Sequence, residues 1–397
     1  MRGPAARPVV VAAGGTGGHF FPAEALAQEL VARGHRVALM TDARSGGLNS
    51  AAFEGREVFV LHGAGLAGRG ALRAARGAAA LAAGAVQARA ILARLGAAAV
   101  VGFGGYPCVA PVLAARALRR RPAVVLHEQN RVLGRANRAL ARFADVLALG
   151  MEGTERVPAG VRTRVVGKPV RPAIRALAGR GYTPPDAPPG EGPVRLLVLG
   201  GSLGARVFSD VVPAALAELP PGPRARLRVV QQCRPEDLER VRAAYDGSGV
   251  AAELAPFFAD VAERYEAAHL VVARAGASTV AEQCAVGRPA VLVPLPGAID
   301  GHQARNAAGC GAEVVEQPGF TPERLRVLLE ALLADRDRLA AMAREAAGHG
   351  RPDAAAHLAD LVEARIARGG MAPAASGEAR DGARDEAPDG AREGTRA

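Results

Sequence analysis

Two glycine-rich turns, each lying between an apolar run and a helical pattern, constrain the fold of this chain more than any other feature. The first lies in VVVAAGGTGGHFFPAEAL (9–26), and the second follows about 185 residues later, in RLLVLGGSLGARVFSD (195–210). In such a turn the free backbone N–H groups and the helix dipole favour a phosphate or another anion. Two equivalent turns predict two equivalent strand–turn–helix domains.

One such turn alone would be a weak signal, because it also occurs as a tight turn without a ligand. In a dinucleotide-binding domain, an acidic residue that binds the ribose follows the glycine turn by about 20 residues, at the end of the second strand. Asp42 lies near enough to that position to keep a dinucleotide-binding domain open as an alternative. A dehydrogenase, however, joins one nucleotide domain to a different catalytic domain, whereas this chain has two of the same kind. Neither turn continues into the Lys-Ser/Thr pair of a P-loop.

The whole chain alternates short apolar runs with helical patterns, which indicates parallel sheets covered on both faces. Strands are predicted at 8–13, 36–41, 57–61, 98–102, 123–127, 145–149, 195–199, 227–231, 252–255, 270–273, 290–294 and 313–315. Helices are predicted at 22–33, 71–95, 107–120, 133–143, 204–218, 235–246, 259–267, 278–286, 302–309 and 322–345. We expect an α/β chain with domains at 1–178 and 194–368 facing across a cleft, a Pro- and Gly-rich linker at 179–193, and a disordered tail at 369–397.

Cysteine spacing and hydropathy argue against several classes of protein. The four cysteines lie far apart without a CxxC, which predicts reduced thiols and neither a disulfide framework nor a zinc site. The amino terminus offers too short an apolar run for a signal peptide. The apolar stretch 77–92 is interrupted by Gln87 and Arg89, so we expect it not to span a bilayer. Asp335 and Asp337 diverge on one helix, and no metal site is predicted.

The formal charge differs between the two halves of the chain. Residues 1–180 carry a net charge of +17, whereas residues 181–369 carry −4. A basic first half favours an anionic partner, namely nucleic acid, a membrane surface or a phosphorylated substrate. The alternative is a compositional excess of arginine, since Lys168 is the one lysine against 49 arginines. The second half shares that composition and is mildly acidic, which favours a real anionic partner.

The stretch ARAGASTVAEQCAVGRPAVLVPLPGAIDGHQARNA (273–307) contains the most specific pattern. Gly276 permits close approach of a ligand, and the three amides that follow it begin a helix and suit a diphosphate. Glu282 lies one turn further on the same face, within reach of a ribose diol. The loop after AVLVP brings Gln303 to the same strand ends, where ligands of such sheets bind.

With this stretch the chain resembles the MurG family of glycosyltransferases over residues 8–365. The resemblance rests on six ordered motifs: GGTGGHFFPA (14–23), GFGGYPCVAP (102–111), HEQNRVLGRANR (127–138), GKPVR (167–171), GGSLGA (200–205) and RAGASTVAEQ (274–283). It implies a GT-B fold of two Rossmann-like domains and transfer of N-acetylglucosamine from UDP-N-acetylglucosamine to lipid I, which gives lipid II for peptidoglycan. One glycine turn would then face the lipid-linked acceptor, and the other the sugar nucleotide.

The resemblance also implies the donor contacts, residue by residue. Those at the diphosphate are Ser202, Ala277, Ser278 and Thr279. Glu282 is implied to hold the ribose, and the backbone near Phe258 to contact the uracil edge. The remaining contacts, to the sugar or from the first domain and the hinge, are Gln303, Asn130, Arg171, Thr16, Gly17 and Gly18. The family often has Asn where Lys168 stands and an aliphatic residue where Phe258 stands.

An α-linked donor and a β-linked product imply inversion in a single step, with a base that deprotonates the acceptor hydroxyl. His19 is the first candidate for that base, because imidazole titrates near working pH. A histidine that caps the turn or holds the acceptor diphosphate is an equal alternative. Glu128 is the reserve base, and His127 is expected to orient its neighbours. Arg171 and helix N-termini would stabilise the departing diphosphate.

The resemblance implies partners and a location as well. These are lipid I, an anionic membrane surface on the cytoplasmic face of the bacterial membrane, and other cell-wall synthesis proteins, with no nucleic acid and no cofactor. The non-hydrolysing UDP-N-acetylglucosamine epimerases remain an alternative, because they use the same nucleotide on a similar frame. The basic first half and the arginines of segment 69–94 speak against them. A non-enzymatic nucleotide-sugar sensor is a weaker alternative.

Overall fold

The computed structural model describes residues 7–14, 17–43, 50–62, 71–186, 190–201 and 204–370. Within these residues the chain forms two parallel sheets with helices on both faces. The predicted α/β class with two doubly wound sheets is therefore confirmed. The predicted tail 369–397 lies almost wholly outside the described residues.

The first sheet has the strand order β3-β2-β1-β4-β5-β6-β7, and all its pairings are parallel. Its strands are β1 (Val9–Ala12), β2 (Val37–Thr41), β3 (Glu57–Val60), β4 (Ala99–Gly102), β5 (Ala123–Glu128), β6 (Val146–Leu149) and β7 (Thr163–Val165). Successive residues of β1 enter different cores, since Val9 and Val11 pack on one face and Val10 and Ala12 on the other. Burial on both faces accounts for the continuous apolar runs.

Helices on the first sheet are α1 (Gly17–Ala32), α2 (Ala71–Leu95), α3 (Val109–Arg116) and α4 (Arg135–Leu140), and α5 (Pro172–Arg175) follows β7. Helix α2 packs against α3, and Gln87 ties it to the end of β3 through Val60 O and the amide of His62. Residues 76–95 are nevertheless long and apolar enough to cross a membrane, with a mean hydropathy of 1.3 and 17% of the window buried. Length and composition alone do not establish a membrane span, so the expectation that 77–92 does not span a bilayer stays a prediction.

The second sheet has the order β10-β9-β8-β11-β12-β13, again with parallel pairings. Its strands are β8 (Val194–Leu199), β9 (Leu227–Gln232), β10 (Ala251–Ala255), β11 (Leu270–Ala273), β12 (Ala290–Leu292) and β13 (Ala312–Val314). Its helices begin with α6 (Arg206–Ala217), α7 (Pro221–Ala225), α8 (Leu238–Ser248), α9 (Val261–Ala267), α10 (Ala277–Val286) and α11 (His302–Ala307).

The carboxyl-terminal helices differ from the prediction in two respects. The helix predicted at 322–345 is two helices, α12 (Pro322–Ala334) and α13 (Arg336–His349), because Asp335 leaves the helical conformation and accepts a bond from the Arg338 amide. Helix α14 (Ala354–Gly370) packs on α1 and on the first sheet, although it lies within the predicted range of the second domain. Its buried face is formed by Leu358, Ala359 and Val362.

Each sheet has a switch point, at which the strand order reverses. This point lies between β1 and β4 in the first sheet and between β8 and β11 in the second. Ligands of open α/β sheets bind outside the carboxyl ends of the strands at this point. The two glycine turns follow β1 and β8, so each lies at a switch point. The loop after β5 and helix α11 contact each other near these ends, since the Arg131 amide donates to Asn306 Oδ1 at 2.9 Å.

Candidate active site

The two glycine turns have the geometry that the sequence predicts, as far as the structure describes them. Gly201 and Gly204 have φ angles of 85° and 69°, and a Cβ at Gly200 would lie 2.4 Å from the amide of Ala205. These positions therefore require glycine. In the first turn Gly17 begins α1, and Gly18 is exposed. Two predicted donor contacts lie outside the described residues, namely Thr16 and Ser202.

His19 lies on the first turn of α1, and its half-buried ring faces the loop that follows β4. A Cβ at Gly104 would lie 3.5 Å from Cδ2 and Nε2 of that ring, so the absence of a side chain there makes room for the imidazole. Burial lowers the pKa of His19, the charge of Lys168 lowers it further, and Glu128 opposes both effects. The ring is therefore neutral at neutral pH, as a proton acceptor must be.

Glu128 lies at the end of β5, is 2% exposed and is held by four donors. Oε1 accepts from the amide and the side chain of Asn130 at 3.0 and 3.1 Å. Oε2 accepts from the Gly134 amide and from Asn137 Nδ2, both at 2.9 Å. Both carboxylate oxygens are thus engaged in shaping the loop after β5. This geometry favours a positioning role for Glu128 and leaves His19 the better-placed candidate base.

The residues on either side of Glu128 fix the same loop. His127 Nε2 lies 2.9 Å from Gly167 O, and burial lowers the pKa of His127 to about 4. The neutral ring thus donates to the segment that follows β7. Gln129 donates to Phe103 O at 2.7 Å. The contact of His127 agrees with the orienting role that the sequence suggests.

On the second domain, α10 begins at a bare helix terminus. Gly276 occupies the N-cap position in an extended conformation and supplies no side-chain cap. The backbone amides of Ala277, Ser278 and Thr279 therefore remain available for a ligand. The side chain of Ser278 instead accepts a hydrogen bond of 2.6 Å from Lys168 Nζ. An uncapped helix N-terminus of this length is well suited to an anion.

Glu282 and Arg171, which the sequence places in the donor site independently, bind each other. Arg171 donates to both carboxylate oxygens of Glu282, at 2.9 and 2.8 Å. Glu282 is 7% exposed, and Arg171 also lies over the ring of Phe21 at 5.7 Å. A ribose diol at Glu282 must therefore use the oxygen lone pairs that Arg171 leaves free, or displace its guanidinium.

The remaining predicted contact residues are each held by partners within the protein. Asn130 Oδ1 accepts from Asn306 Nδ2 at 3.1 Å, which joins the loop after β5 to the second domain. Gln303 accepts from the Leu295 amide, and this bond closes the loop between β12 and α11. Phe258 is buried, and the guanidinium of Arg264 lies 4.2 Å from its ring centre.

Sequence reasoning missed two residues near this site. Lys168 departs from the family pattern and receives no role from the resemblance, although one lysine among 49 arginines is itself a signal. His302 begins α11, its charge lowers the pKa of His19, and its buried Nδ1 has no partner among the described residues. No sequence motif pointed to His302. Among the residues that the structure covers, no group of His, Cys, Asp and Glu side chains is arranged to hold a metal.

Family models and curated relatives match this chain in both of its domains. Residues 9–149 match the glycosyltransferase family 28 N-terminal domain, and residues 195–358 match the C-terminal domain of that family. The UDP-N-acetylglucosamine--N-acetylmuramyl-(pentapeptide) pyrophosphoryl-undecaprenol N-acetylglucosamine transferase of Granulibacter bethesdensis is 60% identical over 91% of this chain and 94% of its own.

Two solved structures extend the comparison. The crystal structure of Acinetobacter baumannii MurG has a TM-score of 0.72 and 31% identity, over 90% of this chain and 99% of its own. A UDP-N-acetylglucosamine 2-epimerase has a TM-score of 0.62 at 15% identity, over 90% of this chain and 95% of its own. At that identity the epimerase shares the fold alone.

Proposed function

Because the chain belongs to the MurG family, whose two Rossmann-like domains form a GT-B fold, we propose that it makes lipid II. It moves N-acetylglucosamine from UDP-N-acetylglucosamine to lipid I, the undecaprenyl-diphosphate-linked muramyl pentapeptide. This reaction is a hexosyl transfer of peptidoglycan synthesis, on which cell shape and division depend.

One observation supports the donor site above the others, namely the uncapped start of α10 beside three charged side chains. The helix terminus offers free amides, Lys168 lies at Ser278, and Arg171 lies at Glu282. A nucleoside diphosphate fits this set, since its phosphates carry the negative charge and its ribose carries the diol. The predicted contacts of Gln303 with the sugar and of the backbone near Phe258 with uracil complete the proposed donor site.

The chemistry follows from the position of His19 on the opposite domain. We assign His19 as the base that takes the proton of the acceptor hydroxyl. The hydroxyl oxygen forms a bond to the anomeric carbon while the bond from that carbon to the UDP oxygen breaks, which inverts the configuration. The electron pair of the broken bond leaves with UDP, where the α10 amides and nearby cations stabilise the added charge.

The acceptor is a membrane lipid, so we further propose peripheral docking of the first domain on the cytoplasmic face. Helix α2 is largely exposed, with Val86 at 71% exposure and with Arg76 and Arg89 on its surface. Exposed apolar area and arginines on one helix suit an anionic lipid surface. Arg69 and the side chain of Arg73, which belong to the same predicted basic segment, lie outside the described set. Other cell-wall synthesis proteins remain proposed partners.

The test is incubation of the full chain with radiolabelled UDP-N-acetylglucosamine and a short-chain lipid I analogue. We expect label to move to the lipid only when the acceptor is present. Release of an N-acetylmannosamine product without acceptor would instead support the epimerase alternative. The matched control is lipid II as acceptor, which already carries the sugar and should gain no label.

A further inference from the structure

Lys168 lies buried beside the start of α10 without a carboxylate bonded to it. It is 4% exposed, and its ammonium donates 2.6 Å to the hydroxyl oxygen of Ser278, its hydrogen-bond partner among the described residues. A buried lysine normally has a negatively charged partner, since a neutral hydroxyl compensates little of the lost hydration. The position therefore needs an explanation.

The surroundings of Lys168 carry more positive than negative charge. The amino terminus of α10 contributes the positive end of its dipole, and Arg171 lies close enough for its charge to lower the pKa of Lys168. The carboxylate of Glu282 raises the pKa of Lys168, but both of its oxygens are bound by Arg171. The site lacks one anion.

We propose that Lys168 is a catalytic residue whose ammonium contacts the diphosphate of the donor. This inference rests on the proposed function, because it takes the start of α10 as the diphosphate site. When the bond between the anomeric carbon and the UDP oxygen breaks, its electron pair goes to that oxygen. The ammonium stays protonated and stabilises the added negative charge.

Four charged or titratable neighbours determine how the protonation of Lys168 changes when UDP binds. Burial lowers the pKa of Lys168 to about 8, Glu282 raises it and Arg171 lowers it. His19 on α1 and His127 on β5 lie in the same field, since the charge of Lys168 lowers the pKa of both rings. A diphosphate beside the ammonium adds the missing negative charge and raises the pKa of Lys168. At pH 8 and above, we therefore expect UDP binding to take up a fraction of a proton, about one half at pH 8.

A cavity beside α10 allows Lys168 to exchange protons with solvent. It has a volume of about 260 Å³, and its lining includes Lys168, Cys284, Asn306 and Arg351. This volume is large enough to hold several water molecules. Solvent protons can thus approach Lys168 through this cavity.

The single lysine allows a direct measurement on the unmodified chain. Protein grown on lysine labelled with ¹³C and ¹⁵N gives one side-chain signal, whose shift is followed from pH 6 to 11 with and without saturating UDP. We expect a midpoint near the lowered value without UDP and a midpoint at least one pH unit higher with it. UDP binding that leaves the midpoint unchanged overturns the proposal.

Variants then test the effect on affinity. Lys168→Met should weaken UDP binding roughly 10- to 100-fold, the size of a charge-assisted hydrogen bond, and should leave uridine binding unchanged. Lys168→Arg should restore most of the UDP affinity but lose its decline above pH 8. UDP itself is fully ionised there, since its last phosphate ionises near pH 6. Arg164→Met, which removes an exposed cation from β7, is the control and should match the parent chain.

The outcomes separate this inference from the proposed function. If the parent chain binds neither UDP nor uridine by calorimetry, the donor assignment fails and Lys168 loses its role with it. If the chain binds both ligands and Lys168→Met weakens both equally, the lysine supports the fold of α10 and does not contact phosphate. Selective weakening of UDP, with proton uptake of about half a proton at pH 8 in the parent chain, supports the proposal.

Discussion

The strand ends of the two sheets differ in how their polar groups are satisfied. In the first domain the loop after β5 is complete by itself, since Glu128 accepts four hydrogen bonds and Gln129 donates to Phe103 O. In the second domain α10 starts without a side-chain cap, and the buried ammonium beside it has a hydroxyl as partner. The polar groups of the first site are bonded largely within the protein, whereas the second site leaves donors that a bound anion would satisfy.

This difference assigns different duties to the two domains. The polar network around Glu128 is hydrogen-bonded except at Asn137 Oδ1, which is buried and has no partner among the described residues. Such a network holds its loop in one conformation, so the first domain can present His19 at a fixed place. Unsatisfied donors that are already in place bind charge without reorganisation, so the second domain can hold a diphosphate. Substitutions in the first network should therefore affect stability, and those near α10 should affect ligand affinity. His19 is the exception, because it belongs to the first domain and yet acts on the substrate.

The largest effect is expected for His19→Ala. Loss of a general base should lower kcat by roughly 10²- to 10⁴-fold and leave the Kd of UDP unchanged. The lowered pKa of His19 places the acid limb of the parent chain's kcat below pH 6.5, because activity is lost as the ring becomes protonated, and this limb should disappear in the variant. His357→Ala, at an exposed position, serves as the control. An unchanged kcat would show that the base lies elsewhere.

Glu128→Ala tests whether the first network is structural. Four donors would lose their acceptor, which should lower the free energy of unfolding by roughly 3–5 kcal/mol after partial rescue by water. Urea titration followed by circular dichroism measures this quantity. A variant that unfolds like the parent chain but has lost activity would contradict the comparison and restore Glu128 as a candidate base.

Glu282→Ala tests the second region. Loss of hydrogen bonds to a charged group should weaken UDP binding by roughly 1.5–3 kcal/mol, as measured by calorimetry. Uridine should be weakened as well, because the proposed contact is with the ribose, and this separates Glu282 from Lys168. Equal affinity of variant and parent for UDP would remove the helix from the donor site.

Lys168→Met should stabilise the empty enzyme by about 1–2 kcal/mol at pH 7, since it removes a buried cation with an uncharged partner. The sign follows from the lowered pKa of Lys168 in the folded chain. Between about pH 8 and the unfolded value of 10.5, the unfolded chain binds more protons, so stability of the parent chain rises with pH. The gain of the variant should therefore shrink by pH 9.5. A loss of stability at pH 7 would contradict this expectation, and urea titrations at both pH values provide the measurement.

Most of the fold could be predicted from the sequence, because strands buried on both faces appear as apolar runs. Strand β7 was missed, since its three residues are exposed and one of them is Arg164. The break at Asp335 depends on a capping bond that an apolar pattern does not reveal. The return of α14 to the first sheet is a tertiary contact, and its apolar face alone does not indicate which sheet it covers.

The site could be predicted only as far as motifs mark its residues. The glycine turns, Glu282 and Arg171 belong to such motifs, but nothing in them shows that Glu282 and Arg171 bind each other. The same limit holds for Glu128, whose role depends on how many donors surround it. Lys168 stands out in the sequence as one lysine among 49 arginines, but the role proposed for it depends on its burial and its partner, which no motif shows. The proposed roles of these residues remain predictions until they are measured.

The smallest effect concerns α2 and the membrane. The lipid-linked acceptor requires an approach to the headgroups, and each arginine near an anionic surface should contribute about 1 kcal/mol, or about fivefold in binding. Sedimentation of the full chain with anionic and neutral vesicles at low and high salt measures this. Arg76→Ser and Arg89→Ser should each weaken binding to anionic vesicles, whereas Arg119→Ser and Arg120→Ser, at exposed positions in the segment after α3, should not. If all four substitutions weaken binding equally, the net charge of the protein attracts it to the vesicles and α2 is not a specific docking surface. If the chain binds neutral and anionic vesicles equally, the arginines do not contribute to membrane binding.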